Sequence, residues 1–300
     1  MALLDRRRFL QATFAAGLSG LAGCTSSLPD LPGGGGTPGY TDWVRNHHDT
    51  EGRGVRTGVH AIDHTAFRAN EQHFSAETYQ HYEDTTGPHF DGLAHDSLDT
   101  TAVPLPSGTG VFTGSFDADA VASRLGSTWS EGTTHEGFDI YTAEHQMRSG
   151  LALADGTAIV RSTPQQAAMK ALIDVGTGSG PRAYEENDDF ATLTDELGES
   201  AMVEGVVRDR VQMAEPQRRR FQNAVADGYT FDLHGETYDA RLVVVFDEAA
   251  NAATEPVRQY VESDQSNRRN PVVSASEFSL SKSGRVVVAT GSGKTSEVFL

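Results

Sequence analysis

The chain has 300 residues and a formal net charge of −18, with 24 basic side chains against 42 acidic ones. Such an acidic chain offers no basic face to neutralise phosphates, so we expect no nucleic-acid partner and no electrostatic docking on anionic lipid. The single cysteine, Cys24, excludes an internal disulfide and any cysteine-rich metal site.

The N-terminal segment has the pattern of an export signal. Arg6 and Arg7 belong to a run of three arginines, and the apolar stretch that follows is shorter than the roughly 20 residues that a membrane span needs. The pair followed by x-Phe9-Leu10 resembles the twin-arginine signal, whose route carries proteins that are already folded. We therefore predict a signal peptide at 1–23, with an uncleaved signal anchor as the alternative.

The end of this segment, Leu-Ala-Gly-Cys24, resembles a lipobox. That resemblance implies cleavage before Cys24 and a covalent lipid on its sulfur, so that the protein is anchored to the outer face of the cytoplasmic membrane. The alternative is that Cys24 is an incidental small residue. Residues 24–40 are rich in Gly, Pro and Ser, and about 15 residues of such flexible chain reach roughly 20 Å. We predict this linker, then an extracytoplasmic domain at 41–300.

Histidines concentrate just after the linker, where imidazole could bind zinc, copper or nickel. Residues 55–67 are predicted to form a strand, on which His60 and His64 would hold their Cβ atoms about 13 Å apart, too far for one ion. His47 and His48 stay as metal candidates, but we expect solvated surface histidines and no cofactor. The eight histidines of this segment are His47, His48, His60, His64, His73, His81, His89 and His95.

The middle of the chain alternates strands with helices. A strand is predicted at 110–116, followed by a helix at 117–126 that Asp117 caps. A second strand begins at Gly137, and the Asp-Gly pair at 155–156 predicts a tight hairpin over 151–160. Thr163-Pro164-Gln-Gln166 has the spacing of a capping box and predicts a helix that ends at Gly176.

The C-terminal part continues the alternation. Helices are predicted from Asp188 to Leu197, from Pro216 to about 227–228, and over about 248–262. Strands are predicted at 241–246 and in a hairpin that joins 272–280 to 285–290. Because antiparallel hairpins follow one another with single helices between them, the pattern predicts an α+β fold with helices on one face of the sheet.

A weak internal repeat suggests two βαββα-like halves, about 55–185 and 186–300. Val111–Gly114 resembles Met202–Gly205, and Gly137–Ile140 resembles Gly228–Phe231. The order of Gly-x-Phe-Asp, helix, Gly-Phe-Asp-Ile-Tyr, hairpin and helix over 105–180, with few lysines and many carboxylates, resembles uncharacterised Tat-exported surface lipoproteins of halophilic archaea. That resemblance implies a protein adapted to concentrated salt and no particular activity.

Sequence motifs for catalysis are absent. No serine has glycine at both second neighbours, and no His-Glu-x-x-His occurs. The segment Gly291–Thr295 resembles the end of a phosphate-binding loop, but Val288 stands where that motif needs glycine. Trp43 and Trp129 are candidate binding aromatics, although core packing is the more common role. We predict a protein that is not an enzyme.

The predicted function is therefore that of a membrane-tethered extracytoplasmic lipoprotein with a binding or structural role at the cell surface. Its protein or small-molecule partner is not named by the sequence. The alternative is a solute-binding lipoprotein of a transporter, although two parallel-sheet lobes would show repeated βαβ units. An exported hydrolase is the third candidate. A ligand-sized cleft with convergent polar groups would favour the solute binder.

Overall fold

The computed structural model describes residues 37–46, 57–88, 90, 92–105, 108–143, 149–162, 165–208, 221–263, 272, 275 and 277–298. All of them belong to one compact unit, Gly35–Leu300. The predicted signal peptide, Cys24, most of the linker, and the candidate ligands His47 and His48 lie outside the described residues. So do Thr163, Pro164 and Pro216, which were predicted to open two of the helices.

The described chain is organised around one antiparallel sheet of twelve strands, in the order β11-β12-β10-β9-β8-β1-β2-β3-β7-β6-β5-β4. The two edges, β11 and β4, do not pair with each other, so the sheet is open. The strands are β1 Thr57–Asp63, β2 Leu98–Leu105, β3 Thr109–Gly114, β4 Trp129–His135, β5 Phe138–Ala143, β6 Gly150–Ala154, β7 Thr157–Arg161, β8 Met202–Val207, β9 Ala224–His234, β10 Thr237–Phe246, β11 Glu277–Ser283 and β12 Val286–Lys294.

Helices are short and connect the strands. The α-helices are α1 His64–Ala69, α2 Ala76–Thr86, α3 Ala118–Ala122, α4 Gln166–Thr177, α5 Ala183–Glu186, α6 Asp188–Leu197 and α7 Thr254–Ser263. A 3₁₀ helix at Gly39–Trp43 precedes β1, and further 3₁₀ turns lie at Glu71–His73, His95–Ser97 and Thr295–Glu297. Within the described part of the chain, no helix has the length and apolar character that a membrane span requires.

The two halves of the sequence form two contiguous blocks of the sheet, joined where β1 pairs with β8. Each block starts with three consecutive antiparallel strands (β1, β2, β3 and β8, β9, β10) and continues with a helix, α3 or α7. A later strand, β7 or β12, then pairs back onto the third. The order of strand pairing is therefore similar in the two blocks, and by this order β8 corresponds to β1, whereas the predicted repeat relates it to β3.

Helices cover both faces of the sheet, which corrects the prediction that they lie on one face. On β10, Val243 and Val245 pack with Phe190 and Leu193 of α6, whereas Leu242 and Val244 pack with Val257 of α7 on the opposite face. The same division holds in the other block, where α4 and α3 lie on opposite faces. Since alternate side chains of a strand point to opposite faces, strands that are apolar at consecutive positions need cover on both. The predicted class, α+β with an antiparallel sheet, is confirmed.

Two predicted elements differ from the structure, the first in where it ends and the second in its type. The strand predicted over 55–67 stops at Asp63, because its carboxylate accepts hydrogen bonds from the N–H groups of Thr65 and Ala66 and starts α1. The helix predicted to end near 227–228 cannot extend there, since β9 begins at Ala224 and pairs with β8 and β10 on its two sides. Cross-strand pairing on both edges overrides the helix preference of the alanines there.

Other predicted elements are confirmed. α6 spans Asp188–Leu197, with the Asn187 side chain accepting from the N–H groups of Asp189 and Phe190. The hairpin β6–β7 turns at Gly156, whose φ of 71° suits glycine. α7 begins at Thr254, later than expected, and α4 runs one residue past Gly176 to end against the left-handed Gly178.

Candidate functional site

A cavity of about 370 Å³ lies over the central strands β1, β2 and β3. The 3₁₀ helix Gly39–Trp43 forms its roof, and the segment that links α6 to β8 forms one wall. It is lined by Gly39, Tyr40, Trp43, Ala61, Ile62, Asp63, Thr100, Thr101, Ala102, Val111, Thr113, Glu199 and Ser200. The clusters that pack beneath α4 and α6 lie on this face, and Tyr40 packs against both. The cavity therefore occupies the gap between the two helices.

The floor is apolar and made of small side chains. Ala61, Ala102 and Val111 are cross-strand neighbours, because Ala61 pairs with Ala102 and Ala102 pairs with Val111. Their side chains share one face of the sheet, where neighbouring strands lie about 4.8 Å apart. Because Ala61 and Ala102 are small and lie side by side on neighbouring strands, they leave a space above the sheet that larger side chains would fill.

The roof is held by hydrogen bonds at its start. Thr41 N–H and its hydroxyl both donate to Pro38 O, at 3.0 and 2.6 Å, which closes the first turn of the 3₁₀ helix. Gly39 N–H donates to Glu199 Oε1 at 2.6 Å, and the Tyr40 hydroxyl donates to Gly198 O at 3.2 Å. These bonds connect the beginning of the domain to the wall 160 residues later in the chain.

Trp43 closes the other side of the roof against α4. A Cβ on Gly176 would lie 2.0 Å from Trp43 Cζ3, so only glycine leaves space for the indole. The ring is half-buried and lines the cavity, as Tyr40 does. The candidate binding aromatic Trp43 is thus part of the cavity, whereas Trp129 packs against a cluster on the opposite face of the sheet.

Two carboxylates stand at the rim of the cavity. Asp63 ends β1, and its N–H donates to Ala201 O at 2.9 Å, which brings it next to Glu199 and Ser200. Burial, followed by the negative charges of Glu199 and Asp195, raises the pKa of Tyr40 well above its ordinary value. The cavity is therefore negatively charged near its aromatic roof.

His64 lies beneath the floor in a separate buried network. Its Nδ1 is 2.6 Å from the Tyr82 hydroxyl and its Nε2 is 2.7 Å from Thr101 Oγ1, and the imidazole is fully buried. The His95 ring contacts it edge-on at 4.8 Å. Burial first, then the positive charges of His95 and Arg68, lowers the pKa of His64 to about 3, while Asp63 opposes the shift. The network fastens α1 and α2 to β2.

The remaining described histidines do not converge. His60 lies on the opposite face from the cavity floor, 3.9 Å from Glu204 on β8, and His135 contacts Asp174 at 2.6 Å. His73 is half-buried and His81 is exposed on α2. Over the described ranges, no group of three or more His, Cys, Asp or Glu side chains is placed to hold a metal ion.

Sequence reasoning missed most of the cavity. Tyr40 was assigned to the linker, but it belongs to the 3₁₀ helix and packs between two core clusters. Asp63 was placed inside a strand, and Glu199 was not singled out. The only local signal is the pair of aromatics, Tyr40 and Trp43, that directly follows a Gly- and Pro-rich stretch.

Comparisons with known proteins do not identify this chain. No protein-family description matches it, and no curated protein is similar to it in sequence. Among solved structures, crystal forms I and III of TP0453 share 9% identity with it and form IV shares 10%. Each alignment covers 81% of this chain and 90% or 92% of TP0453, with a TM-score of 0.43. A TM-score this low carries no inference about fold or function.

Proposed function

We propose that this protein is a membrane-tethered extracytoplasmic binding lipoprotein whose ligand occupies the cavity under the 3₁₀ helix Gly39–Trp43. The observation that carries the proposal is the cavity itself, at about 370 Å³. That volume falls within the roughly 300–1,000 Å³ of small-molecule sites, and the apolar floor, aromatic roof and polar rim match their usual composition.

The predicted anchor supports this role because it lies close to the roof in the sequence. Only the 14 residues between Cys24 and Gly39 separate the lipid from the 3₁₀ helix. A flexible segment of that length reaches roughly 20 Å, so the cavity would be held near the membrane surface. The acidic composition supports a domain that works in concentrated salt, since salt screens its self-repulsion.

A non-enzymatic role is supported by the burial of the hydroxyl–imidazole pair formed by Thr101 and His64 near the cavity. Thr101 Oγ1 and His64 Nε2 are as close as a catalytic hydroxyl and its general base, at 2.7 Å. However, Thr101 is 4% exposed and His64 is fully buried, so a substrate cannot reach the hydroxyl. Thr101 Oγ1 is directed to the face opposite the cavity floor, because Ala102 beside it faces the cavity. A pKa of about 3 also makes His64 a poor base at neutral pH.

Delivery of the ligand to a transporter is the second candidate, and the ligand-sized cavity favours it over a purely structural role. In that case uptake of the bound compound by whole cells would fall when the protein is deleted. If the protein binds the compound without delivering it to a transporter, uptake should be unchanged when the protein is deleted.

The test of the proposed function uses a variant that fills the cavity. Ala102 is 4% exposed on the floor, so Ala102→Leu would place a branched side chain where the ligand sits. Native mass spectrometry of protein extracted from its own membranes should show a small molecule retained by the wild type and lost from this variant. Ala122→Leu on α3 makes the same change on the opposite face and should retain it.

Two outcomes would contradict the proposal. One is the same small-molecule content in the wild type and in Ala102→Leu. The other concerns the anchor: Cys24→Ser should release the protein from membranes or leave it unprocessed. An unmodified Cys24 on a mature, membrane-bound protein would refute the tether.

A further inference from the structure

We propose that the cavity under the 3₁₀ helix Gly39–Trp43 binds a small organic ammonium ion, with its charged head between Asp63 and Glu199 and its apolar part on the floor. This inference rests on the proposed binding function and names the chemistry of the ligand. It follows from the hydrogen-bonding groups, the charges and the shape of the cavity.

Two hydrogen-bond donors of the roof, the Tyr40 hydroxyl and Gly39 N–H, are used within the protein. The Tyr40 hydroxyl donates to Gly198 O at 3.2 Å, and Gly39 N–H donates to Glu199 Oε1 at 2.6 Å. Tyr40 Oη keeps its lone pairs, and Glu199 keeps its second carboxylate oxygen. This side of the cavity therefore offers acceptors to a ligand.

Hydroxyls of the rim and floor add further acceptors. Ser200 Oγ donates to Asp232 Oδ2 at 3.0 Å, so its oxygen is left as an acceptor. Thr100 Oγ1 and Thr113 Oγ1 are 2.6 Å apart, so one of the two donates to the other, which keeps its own O–H. An excess of acceptors favours a ligand that carries several N–H donors, as an ammonium group does.

The charge of the cavity points the same way. Asp63 Oδ1 accepts from Thr65 N at 2.8 Å and from Ala66 N at 3.0 Å, whereas no described residue donates to Asp63 Oδ2. Asp63 and Glu199 are two carboxylates, and none of the thirteen lining residues is Lys, Arg or His. A cationic ligand would be attracted by this local charge, and an anionic ligand would be repelled.

The aromatic roof and the size of the cavity limit the rest of the ligand. Tyr40 and Trp43 line the cavity, and aromatic faces attract ammonium groups within about 6 Å. The floor of Ala61, Ala102 and Val111 suits a short hydrocarbon chain. A compound with an ammonium head and a few carbons satisfies both.

The experiment compares three probes of the same size: n-butylammonium, 1-butanol and butyrate. The full chain carries Trp129→Phe, which leaves Trp43 as its one tryptophan, and binding is followed by Trp43 fluorescence. The titration uses the lowest KCl concentration at which the near-ultraviolet circular dichroism is unchanged. We expect saturable binding of n-butylammonium at least about tenfold tighter than binding of 1-butanol, and none of butyrate.

Isosteric variants test the two carboxylates. Asp63→Asn keeps the cap of α1, since Asn caps as well as Asp, and it should weaken n-butylammonium binding about tenfold. Glu199→Gln should weaken it about threefold, because Glu199 is exposed and its charge is screened. Glu248→Gln, an exposed carboxylate away from the cavity, is the matched control and should leave binding unchanged.

The results separate this inference from the proposed function. If 1-butanol or butyrate binds as tightly as n-butylammonium and Ala102→Leu abolishes that binding, the cavity is a ligand site and the ammonium assignment is wrong. If no probe changes Trp43 fluorescence and the membrane-extracted protein carries no small molecule, both are wrong.

An ammonium group on a lipid headgroup has the same chemistry, so vesicles form a second arm. Phosphatidylethanolamine vesicles are compared with phosphatidylglycerol vesicles as competitors of n-butylammonium. Competition by the first alone would assign the ammonium to a headgroup, and competition by neither would assign it to a free amine. Competition by phosphatidylglycerol equal to that by phosphatidylethanolamine would overturn the ammonium assignment.

Discussion

Lowering the pH should destabilise this protein through His64, and the loss can be worked out from its surroundings. Both ring nitrogens are occupied, by the Tyr82 hydroxyl at 2.6 Å and by Thr101 Oγ1 at 2.7 Å. A neutral imidazole donates at one nitrogen and accepts at the other, which suits two hydroxyls. A protonated imidazole would be a buried charge beside Arg68 and His95, with only Asp63 in opposition.

The sign and size of the change in unfolding free energy follow from the difference between the folded and unfolded pKa of His64. The folded pKa of about 3 lies below the unfolded value of about 6.5, so the unfolded state binds more protons between these pH values. The stability is fully present above about pH 6.5 and is lost as the pH falls toward 3. Each pH unit in this window costs about 1.4 kcal/mol, which amounts to about 2 kcal/mol at pH 5. Burial also lowers the pKa values of His60 and His95, which add to the wild-type slope.

The assay is urea unfolding at pH 7.5, 6 and 5 in a fixed KCl concentration, followed by near-ultraviolet circular dichroism. His64→Gln should be less stable by about 1–3 kcal/mol at pH 7.5, because a buried hydroxyl loses its partner. Between pH 6 and 5, its stability should fall by about 1.4 kcal/mol less than that of the wild type. His81→Gln on exposed α2 is the control and should keep the wild-type slope. Equal slopes for His64→Gln and the wild type would refute this account.

Three further changes should have measurable effects. Replacing Arg6 and Arg7 by Lys should block export without preventing folding, as measured by cell fractionation; normal surface levels would indicate the general secretory route instead. The midpoint temperature of thermal unfolding should rise when the KCl concentration is raised from about 0.1 M to about 3 M. The screening length shortens to about 3 Å at 1 M salt, which relieves the self-repulsion of a net charge of −18. An unchanged midpoint, with sucrose as the non-ionic control, would remove the halophilic interpretation. Gly176→Ala should displace Trp43, shift its fluorescence and lower the unfolding midpoint, whereas Gly126→Ala, with no atom nearer than 3.9 Å, should not. An unshifted Trp43 spectrum in Gly176→Ala would contradict the packing described for the roof.

Locally encoded elements were predictable because their signals lie within a few residues of each other. α6 was predicted with the bounds Asp188–Leu197, since carboxylates open it, Leu193 and Leu197 recur at helical spacing, and Gly198 follows it. The hairpin over 151–160 was predicted from its Asp-Gly turn between two apolar runs. The predicted export signal and lipidation of Cys24 rest on the same kind of contiguous pattern, and they stay predictions.

The cavity was not predictable in this way, because its walls come from five separate stretches of the chain. Residues 39–43, 61–63, 100–102, 111–113 and 199–200 meet only when β1 pairs with β2 and β8. Strand β2 carries no distinctive alternation, and no strand was predicted there. The position of β2 in the sheet is set by its pairing with β1 and β3.

The amino-acid sequence by itself determined the acidic surface charge, the α+β class and the local boundaries of elements such as α6, because charge and short-range periodicity act over one or two turns. The tertiary structure alone decided that the residues from Ala224 onward form a strand, that helices cover both faces, and that Tyr40 roofs a cavity beside Glu199. Each of these depends on contacts between residues far apart in the chain, such as the pairing of Met202 with Phe231. The free energy of strand pairing and of burial on both faces exceeds the local preference of any short segment.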